Sequence, residues 1–348
     1  MPGVRAKAAL LCPESASSNG SALPDMEFQI VLSNLTNPTL LFFCLGILAA
    51  RLKSDLEIPE STSKFISLYL LFAIGFKGGQ ELAHAQFTAE IFYSLFFGLG
   101  LAAVIPFYVF FLMKGRMGVY NAAAVAASYG SVSAVTFVAA VAFLELGGLS
   151  AGGHMVAVMA LMEAPAIIVG MVLMRRFEEV RPGTHQLKLG SVIRHSFTNG
   201  SVLMVLGSLV IGLIADSKQA EGIKPFTNDI FKGFLAIFLL EMGMVTARRL
   251  TSFARYGWFA GLTAVLLPAV NGTIAALLSA MVTDDVANRF MCAVLAASAS
   301  YIAVPAAMRL AAPKADPGLY IPMALGITFP FNITLGMPLY LAIIRITL

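Results

Sequence analysis

Two clusters of hydroxyl side chains interrupt apolar segments of this 348-residue chain. The first cluster runs from Ser128 to Thr136 and includes Gly130, and the second runs from Ser298 to Pro305. Serine and threonine hydroxyls donate hydrogen bonds to anions, and their oxygens also ligate cations. Proline interrupts a helix, and the start of each new helix offers free backbone N–H groups to an anion. These residue types favour the binding of a small anion together with a cation.

Two glutamates also lie inside apolar segments. Glu163 stands two residues before Pro165, and Glu241 stands two residues before Gly243. A charged side chain at the bilayer centre costs about 2.5–3.5 kcal/mol on insertion scales, so each glutamate is a candidate cation ligand or proton carrier. For Glu163 we favour the cation ligand, because the adjacent proline frees backbone carbonyl oxygens. An alternative for Glu241 is an ion pair with Lys77.

These features give two sets of candidate ligands. The predicted anion ligands are Gly130, Ser131, Ser133, Thr136, Ser298, Ser300 and Pro305. The predicted Na⁺ ligands are Glu163, Ser133, Ser300, Tyr301 and Asn332. For any single serine the alternative is close packing between membrane helices, whereas two clusters at repeat-related positions favour ligand binding. The histidines His84, His185 and His195 fall in connections, and no His-Glu-x-x-His pattern occurs. We therefore expect no enzyme and no cofactor, with Na⁺ as a coupling ion.

The composition identifies the elements that position these residues. Hydrophobic residues make up 58% of the chain and charged residues 12%, against about a quarter charged in soluble domains. Charge-free stretches such as 91–113 and 119–144 exceed the roughly 20 residues that cross a bilayer as a helix. The sequence thus predicts an all-α polytopic membrane protein. It excludes soluble enzymes and nucleic-acid-binding proteins.

Hydropathy predicts about ten transmembrane helices. The predicted spans are 38–52, 65–80, 91–113, 119–145, 154–174, 200–215, 230–247, 255–282, 288–311 and 319–345. Residues 1–36 are predicted to be a disordered tail or a wrongly annotated start, and 178–199 a cytoplasmic connection. Fifteen of the 23 Lys and Arg residues lie on odd-numbered connections. This excess predicts cytoplasmic odd connections and both termini outside.

The two halves of the chain share sequence motifs in nearly one register. Ile74-Gly75-Phe76 returns as Met242-Gly243-Met244, and Ala126-Ala127-Ser128 returns as Ala296-Ala297-Ser298. The predicted repeats are 37–177 and 200–348, each of five helices. Because five is odd, the second repeat enters the membrane from the opposite side. Inverted repeats whose interrupted helices meet near the bilayer midplane are typical of secondary transporters.

The order and spacing of these motifs resemble the SbtA-like sodium-dependent bicarbonate transporters of cyanobacteria and other bacteria, from about Asn37 onward. The segment 130–136 is similar to the Gly-x-Val-Ser-x-x-Thr crossing motif of that family, and Pro305 with Arg309 resembles its Pro-x-x-x-Arg motif. Several positions differ from the family pattern, and two of them are positions where the family has a carboxylate. Glu163 stands where the family has aspartate, and Tyr301 replaces a second aspartate that would suit Na⁺.

The resemblance implies Na⁺-dependent import of bicarbonate or a similar small anion by alternating access. It further implies a homotrimer, a core that moves against a gate domain, and a PII-like regulator that binds on the cytoplasmic side. Two alternatives keep the same inverted-repeat design. One is a cation/proton antiporter in which Glu163 or Glu241 exchanges protons, and the other is a sodium-coupled organic-anion symporter with a wider cavity.

Overall fold

The computed structural model describes residues 38–84, 88–178, 200–253 and 257–347, and all secondary structure in these ranges is helical. The all-α prediction is thereby confirmed for this part of the chain. The predicted tail 1–36 and nearly all of the predicted connection 178–199 lie outside the described residues.

Eleven helices of the described residues carry the fold, together with short helical turns between Ser217 and Asp229. In the first half these are α1 (Pro38–Arg51), α2 (Glu60–His84), α3 (Ala89–Gly130), α4 (Ala134–Leu146) and α5 (His154–Phe177). In the second half they are α6 (Gly200–Ile214), α7 (Phe231–Phe253), α8 (Gly257–Leu278), α9 (Val286–Ala297), α10 (Ala303–Ala311) and α11 (Pro317–Ile346). Two stretches of α11 have π-helical hydrogen bonding.

Five stretches of the described chain are long and apolar enough to cross a membrane. They are Ala89–Leu146, His154–Phe177, Pro225–Arg248, Gly257–Met281 and Pro317–Ile346. The first of these has 58 residues and therefore covers two predicted spans. Shorter apolar helices occur at Leu41–Arg51, Leu203–Ile214 and Val286–Ala297. Length and composition thus agree with a multi-pass membrane protein, but they do not confirm the predicted count of ten spans.

Helix breaks occur within both hydroxyl clusters. The chain leaves helical geometry between α3 and α4, at residues 131–133, and again between α9 and α10, at residues 298–302. A separate kink interrupts α3 at Gly118, whose φ of 75° and ψ of 167° suit only glycine. The sequence predicted the two breaks, and the kink lies in the predicted connection between the spans 91–113 and 119–145.

The helices pack in two groups. The four-helix group consists of α1, α2, α6 and α7, in which α1 packs on α7 and α2 packs on both α6 and α7. The crossing group consists of α3, α4, α5, α8, α9, α10 and α11, with α3 on α5, α8 on α9, and α9 on α3, α4 and α11. The two groups meet where α2 packs on α4 and α5, where α6 packs on α5, and where α7 packs on α11.

Glycines allow the closest helix contacts inside the four-helix group. A Cβ atom at Gly243 on α7 would lie 2.1 Å from the Phe43 carbonyl oxygen on α1, and one at Gly75 on α2 would lie 2.6 Å from the Val205 carbonyl oxygen on α6. These distances are far below van der Waals contact, so any side chain would push the helices apart. Membrane helices commonly use small residues for such contacts.

Replacing Gly243 with alanine is expected to destabilise the protein, because α1 and α7 must separate to admit the methyl group. Overpacking of this kind costs about 1–3 kcal/mol. The matched control is Gly233→Ala on the same helix, where a Cβ would meet no atom within 4 Å and alanine favours the helix. Thermal unfolding in detergent measures both variants, and equal melting temperatures would contradict this packing.

Candidate functional site

The two helix breaks are bonded directly to each other. The Ser300 backbone N–H donates to the Ser128 carbonyl oxygen over 2.8 Å, and the Ser128 hydroxyl donates back to the Ser300 carbonyl oxygen. The Ser133 N–H donates to Ser298 Oγ over 3.2 Å. All four serines are buried. Peptide groups exposed by both breaks thus satisfy one another inside the protein, which membrane burial requires.

Two serines hold the starts of the helices that follow the breaks. Ser133 Oγ accepts a hydrogen bond from the Thr136 N–H over 3.2 Å at the start of α4, and Ser300 Oγ accepts one from the Val304 N–H over 3.4 Å at the start of α10. In both cases the hydroxyl oxygen is the acceptor, so the hydroxyl proton is left to donate elsewhere. Side-chain caps of this kind satisfy N–H groups that a helix start leaves without an intrahelical acceptor.

A cavity of about 50 Å³ lies at these two helix starts, between the four-helix group and the crossing group. Its lining from the four-helix group is Ser67, Leu70, Leu71, Val205 and Phe238. From the crossing group come Val132, Ser133, Ala134, Val135, Val138, Met159, Ala160, Glu163, Ser300, Tyr301, Ile302 and Ala303. Since one water needs only about 10–15 Å³ by this kind of measure, the cavity has room for a small hydrated ion or a small polyatomic anion.

Backbone N–H groups at the start of α4 and α10 add positive charge to this cavity. The N–H groups of Ala134, Val135 and Ala303 lie in first turns, and no described residue accepts a hydrogen bond from them. Each helix start carries a partial positive charge of about half an elementary charge. The arrangement therefore offers an anion site that needs no lysine or arginine.

Glu163 supplies the negative charge of the cavity. It lies on α5 two residues before Pro165, is partly exposed, and lines the cavity together with the two helix starts. No residue that the structure describes forms a hydrogen bond or an ion pair with its carboxylate. A carboxylate without a partner in an apolar lining favours a bound cation. The cavity thus combines a cation-binding group with anion-binding groups.

The structure brings some predicted ligands to the cavity and leaves others beside it. Ser133, Ser300, Tyr301 and Glu163 line it. The predicted ligands that do not line it are Gly130, Ser131, Thr136, Ser298, Pro305 and Asn332. Most of these hold the helix breaks in shape, as the following contacts indicate.

Asn332 braces the end of α9 at a distance from the cavity lining. Its amide nitrogen donates to the Ala297 carbonyl oxygen over 2.8 Å, and its amide oxygen accepts from the Tyr340 hydroxyl over 3.2 Å. Both polar ends of the side chain are therefore engaged. Gly130 is a packing position, because a Cβ there would lie 2.4 Å from the Pro106 ring. Pro305 stands in the first turn of α10, where a missing N–H costs nothing.

The predicted ion pair between Glu241 and Lys77 is wrong. Lys77 Nζ instead lies 2.7 Å from a Glu145 carboxylate oxygen, and Lys232 Nζ lies 3.8 Å from the other oxygen. Because Lys77 and Lys232 belong to the four-helix group and Glu145 ends α4, these charges join the two groups.

Sequence analysis missed two serines of this site. Ser67 on α2 lines the cavity, but its hydroxyl donates to the Ser63 carbonyl oxygen of its own helix over 2.9 Å. Ser128 forms both bonds to Ser300 across the breaks. The position of Ser128 in the repeated Ala-Ala-Ser motif could have indicated its role in the site. Ser67 had no signal beyond a hydroxyl in an apolar helix.

Replacing Ser298 with alanine is expected to destabilise the protein by about 1–3 kcal/mol, because the buried Ser133 N–H then has no acceptor. Ser94→Ala is the matched control, since Ser94 is also fully buried but its hydroxyl has no hydrogen-bond partner among the described residues. Thermal unfolding measures both variants. If Ser298→Ala has the same melting temperature as the control, the hydrogen bond between the two breaks contributes little to the stability of the protein.

These features define a class of protein. A chain with several apolar helices, two broken helices that meet inside the protein, and an ion-sized cavity between two helical groups is a multi-pass membrane transporter. The family model of the Na⁺-dependent bicarbonate transporter superfamily matches residues 38–345, and the chain belongs to that superfamily. It is therefore a transporter and not an enzyme. Among curated proteins, none matches the chain.

Proposed function

We propose that this protein imports bicarbonate together with Na⁺ by alternating access, and that both ions bind in the cavity between the two helical groups. One observation carries the proposal. The starts of α4 and α10 line the same small cavity as the carboxylate of Glu163, and neither their first N–H groups nor this carboxylate has a partner among the residues that the structure describes.

Na⁺ binds first, to Glu163 and to the hydroxyl oxygens of Ser133 and Ser300. The reason for this order is electrostatic, because an uncompensated carboxylate repels bicarbonate in a cavity of this size. At about 4 Å and an effective dielectric constant near 20, two like unit charges repel by about 4 kcal/mol. Bound Na⁺ removes that repulsion and adds attraction. Bicarbonate then accepts hydrogen bonds from the two serine hydroxyls and from the N–H groups of Ala134, Val135 and Ala303.

The architecture we propose is two inverted repeats of five helices, 37–177 and 200–348, with 178–199 as the cytoplasmic connection. Reciprocal packing supports it: α1 of the first repeat packs on α7 of the second, and α6 of the second packs on α2 of the first. The repeated glycines Gly75 and Gly243 make equivalent contacts with the carbonyl oxygens of Val205 and Phe43. A two-fold relation between the halves requires such an exchange.

Alternating access follows from the position of the cavity. Because its walls belong to two groups, sliding one group against the other opens the cavity to one side and closes it to the other. The Lys77–Glu145 ion pair joins the groups near one end of the cavity, and we propose that it breaks when that end opens. The proposed orientation, with both termini outside, rests on the distribution of Lys and Arg over the connections. The bacterial inner membrane, the homotrimer and the PII-like regulator are parts of this proposal that the resemblance supplies.

Uptake of labelled bicarbonate by proteoliposomes tests the function. Purified protein is reconstituted, and initial rates are compared with an inward Na⁺ gradient, an equal K⁺ gradient, and neither. We expect concentrative uptake with Na⁺ alone. Uptake that is equal in Na⁺ and K⁺, or absent, overturns the proposal. Cation efflux driven by a pH gradient without bicarbonate identifies the antiporter instead, and uptake of larger carboxylates in preference to bicarbonate identifies the organic-anion symporter.

A further inference from the structure

Glu241 is a buried carboxylate that the proposed site does not use. It lies on α7 and is 9% exposed, and its Oε2 atom has no hydrogen-bond partner among the described residues. An isolated charge in an apolar interior costs many kcal/mol unless something neutralises it. The expected partner Lys77 is bonded to Glu145 instead. Some other positive charge must therefore accompany Glu241 when it is ionised.

Two oxygen-bearing side chains share the region of this carboxylate. The Ser63 side chain on α2 is adjacent to it. The Tyr301 side chain, from the break before α10, lines the cavity together with Ser67 and Phe238, which stand about one turn from Ser63 and Glu241. Tyr301 is 8% exposed, and its hydroxyl forms no hydrogen bond of ordinary geometry with a described residue, although Ser133 lies near it. Glu241 Oε2 and Tyr301 Oη thus lie in one region. We call them orphan oxygen atoms because neither has a hydrogen-bond partner among the described residues.

This region continues the cavity by one helical turn. Ser67 on α2 and Phe238 on α7 line the cavity, Ser63 lies one turn before Ser67, and Glu241 lies nearly one turn after Phe238. Tyr301 belongs to the cavity lining itself. Because Ser63 and Glu241 are neighbours, both helices extend beyond the cavity on the same side. The region also lies between the helical groups, since Tyr301 belongs to the crossing group.

We infer that Glu241, Ser63 and Tyr301 form a second Na⁺ site at this end of the cavity, separate from the site at Glu163. Hard cations take oxygen ligands, and here three come from three different segments. One cation satisfies both orphan oxygen atoms at once. A proton on Glu241 neutralises the charge but provides no partner for the Tyr301 oxygen. The inference rests on the proposed Na⁺ coupling and extends it to two Na⁺ for each bicarbonate.

Direct binding of ²²Na⁺ to the purified, full-length protein tests this inference without bicarbonate. We expect the unaltered protein to bind two Na⁺ per chain, and Glu241→Gln and Glu163→Gln each to bind one. Glu57→Gln is the matched control, since Glu57 is exposed in the connection between α1 and α2, and it should still bind two. Ser63→Ala and Tyr301→Phe remove one oxygen without a charge, and each should weaken one site about tenfold.

The outcomes separate this inference from the function it rests on. An unaltered protein that binds one Na⁺, lost in Glu163→Gln and kept in Glu241→Gln, overturns the second site and leaves Na⁺ coupling intact. An unaltered protein that binds no Na⁺ overturns the proposed coupling itself. If Glu241→Gln does not fold, the Ser63→Ala and Tyr301→Phe proteins decide the question, and two sites of unchanged affinity in both variants contradict the inference.

Discussion

Glu163→Gln is expected to lower Na⁺-driven bicarbonate uptake at least ~100-fold. The substitution keeps the size of the side chain and removes the only carboxylate that lines the cavity among the described residues. A pair of opposite unit charges at about 4 Å gains about 4 kcal/mol at an effective dielectric constant near 20. Since each 1.4 kcal/mol or so is a factor of ten, losing even part of this energy removes Na⁺ binding at working concentrations.

Initial uptake rates and the Na⁺ concentration for half-maximal uptake measure this effect. Glu163→Asp keeps the charge and should retain coupling with a moderately higher Na⁺ requirement, because the shorter side chain reaches less far into the cavity. Glu57→Gln, the same chemical change at an exposed position, should behave as the unaltered protein. Normal Na⁺-driven uptake by Glu163→Gln would show that Glu163 is not a ligand of the coupling Na⁺.

The double variant Ser133→Ala/Ser300→Ala is expected to raise the bicarbonate concentration for half-maximal uptake at least ~100-fold. Each hydroxyl caps a helix with its oxygen, lines the cavity, and in the proposed complex donates its proton to bicarbonate. Hydrogen bonds to charged groups contribute about 1.5–3 kcal/mol each. Losing both therefore weakens the affinity for bicarbonate more than about 100-fold. The loss of two caps also lowers the unfolding free energy, by about 1 kcal/mol each.

Two further variants separate binding from stability in this experiment. Ser67→Ala removes a hydroxyl from the same cavity, but that hydroxyl is bonded within its own helix, so near-normal uptake is expected. Ser133→Thr keeps both the oxygen and the proton, and it should bind bicarbonate far better than the alanine variant. If Ser67→Ala impairs uptake as strongly as the double variant, uptake depends on the volume of the cavity. The Ser133 and Ser300 hydroxyls would then not be specific ligands of bicarbonate.

Much of the helical content and of the breaks could be read from composition and pattern. Long charge-free runs indicate membrane helices, and Gly, Ser and Pro inside such runs indicate interruptions, because both signals are local. The number of membrane spans was harder to predict. Residues 89–146 form one long apolar stretch with a kink at Gly118 and a break at 131–133, whereas α1, α6 and α9 are shorter than a usual span.

The sequence alone could not distinguish the ligands of the candidate site from residues that only support the fold. Ser133 and Asn332 both stand near helix-breaking residues, so the sequence alone offered both as Na⁺ ligands. In the folded protein Ser133 lines the cavity, whereas the two polar ends of Asn332 bind Ala297 at the end of α9 and Tyr340 on α11. Lys77 and Glu145 are 68 residues apart, and no pattern in the chain indicates that they meet.

The sequence by itself determined that this protein resides in a membrane, where its helices are interrupted, and to which transporter superfamily it belongs. These three signals can be read from the sequence because hydropathy, helix-breaking residues and family motifs depend only on the order of residues along the chain. Only the tertiary structure decided that Glu163 lines one cavity with the two helix starts, that Asn332 does not line it, and that Glu241 lies near Ser63. Those relations depend on packing between distant segments, in which a rotation of one helix by a fraction of a turn exchanges a ligand for a packing residue.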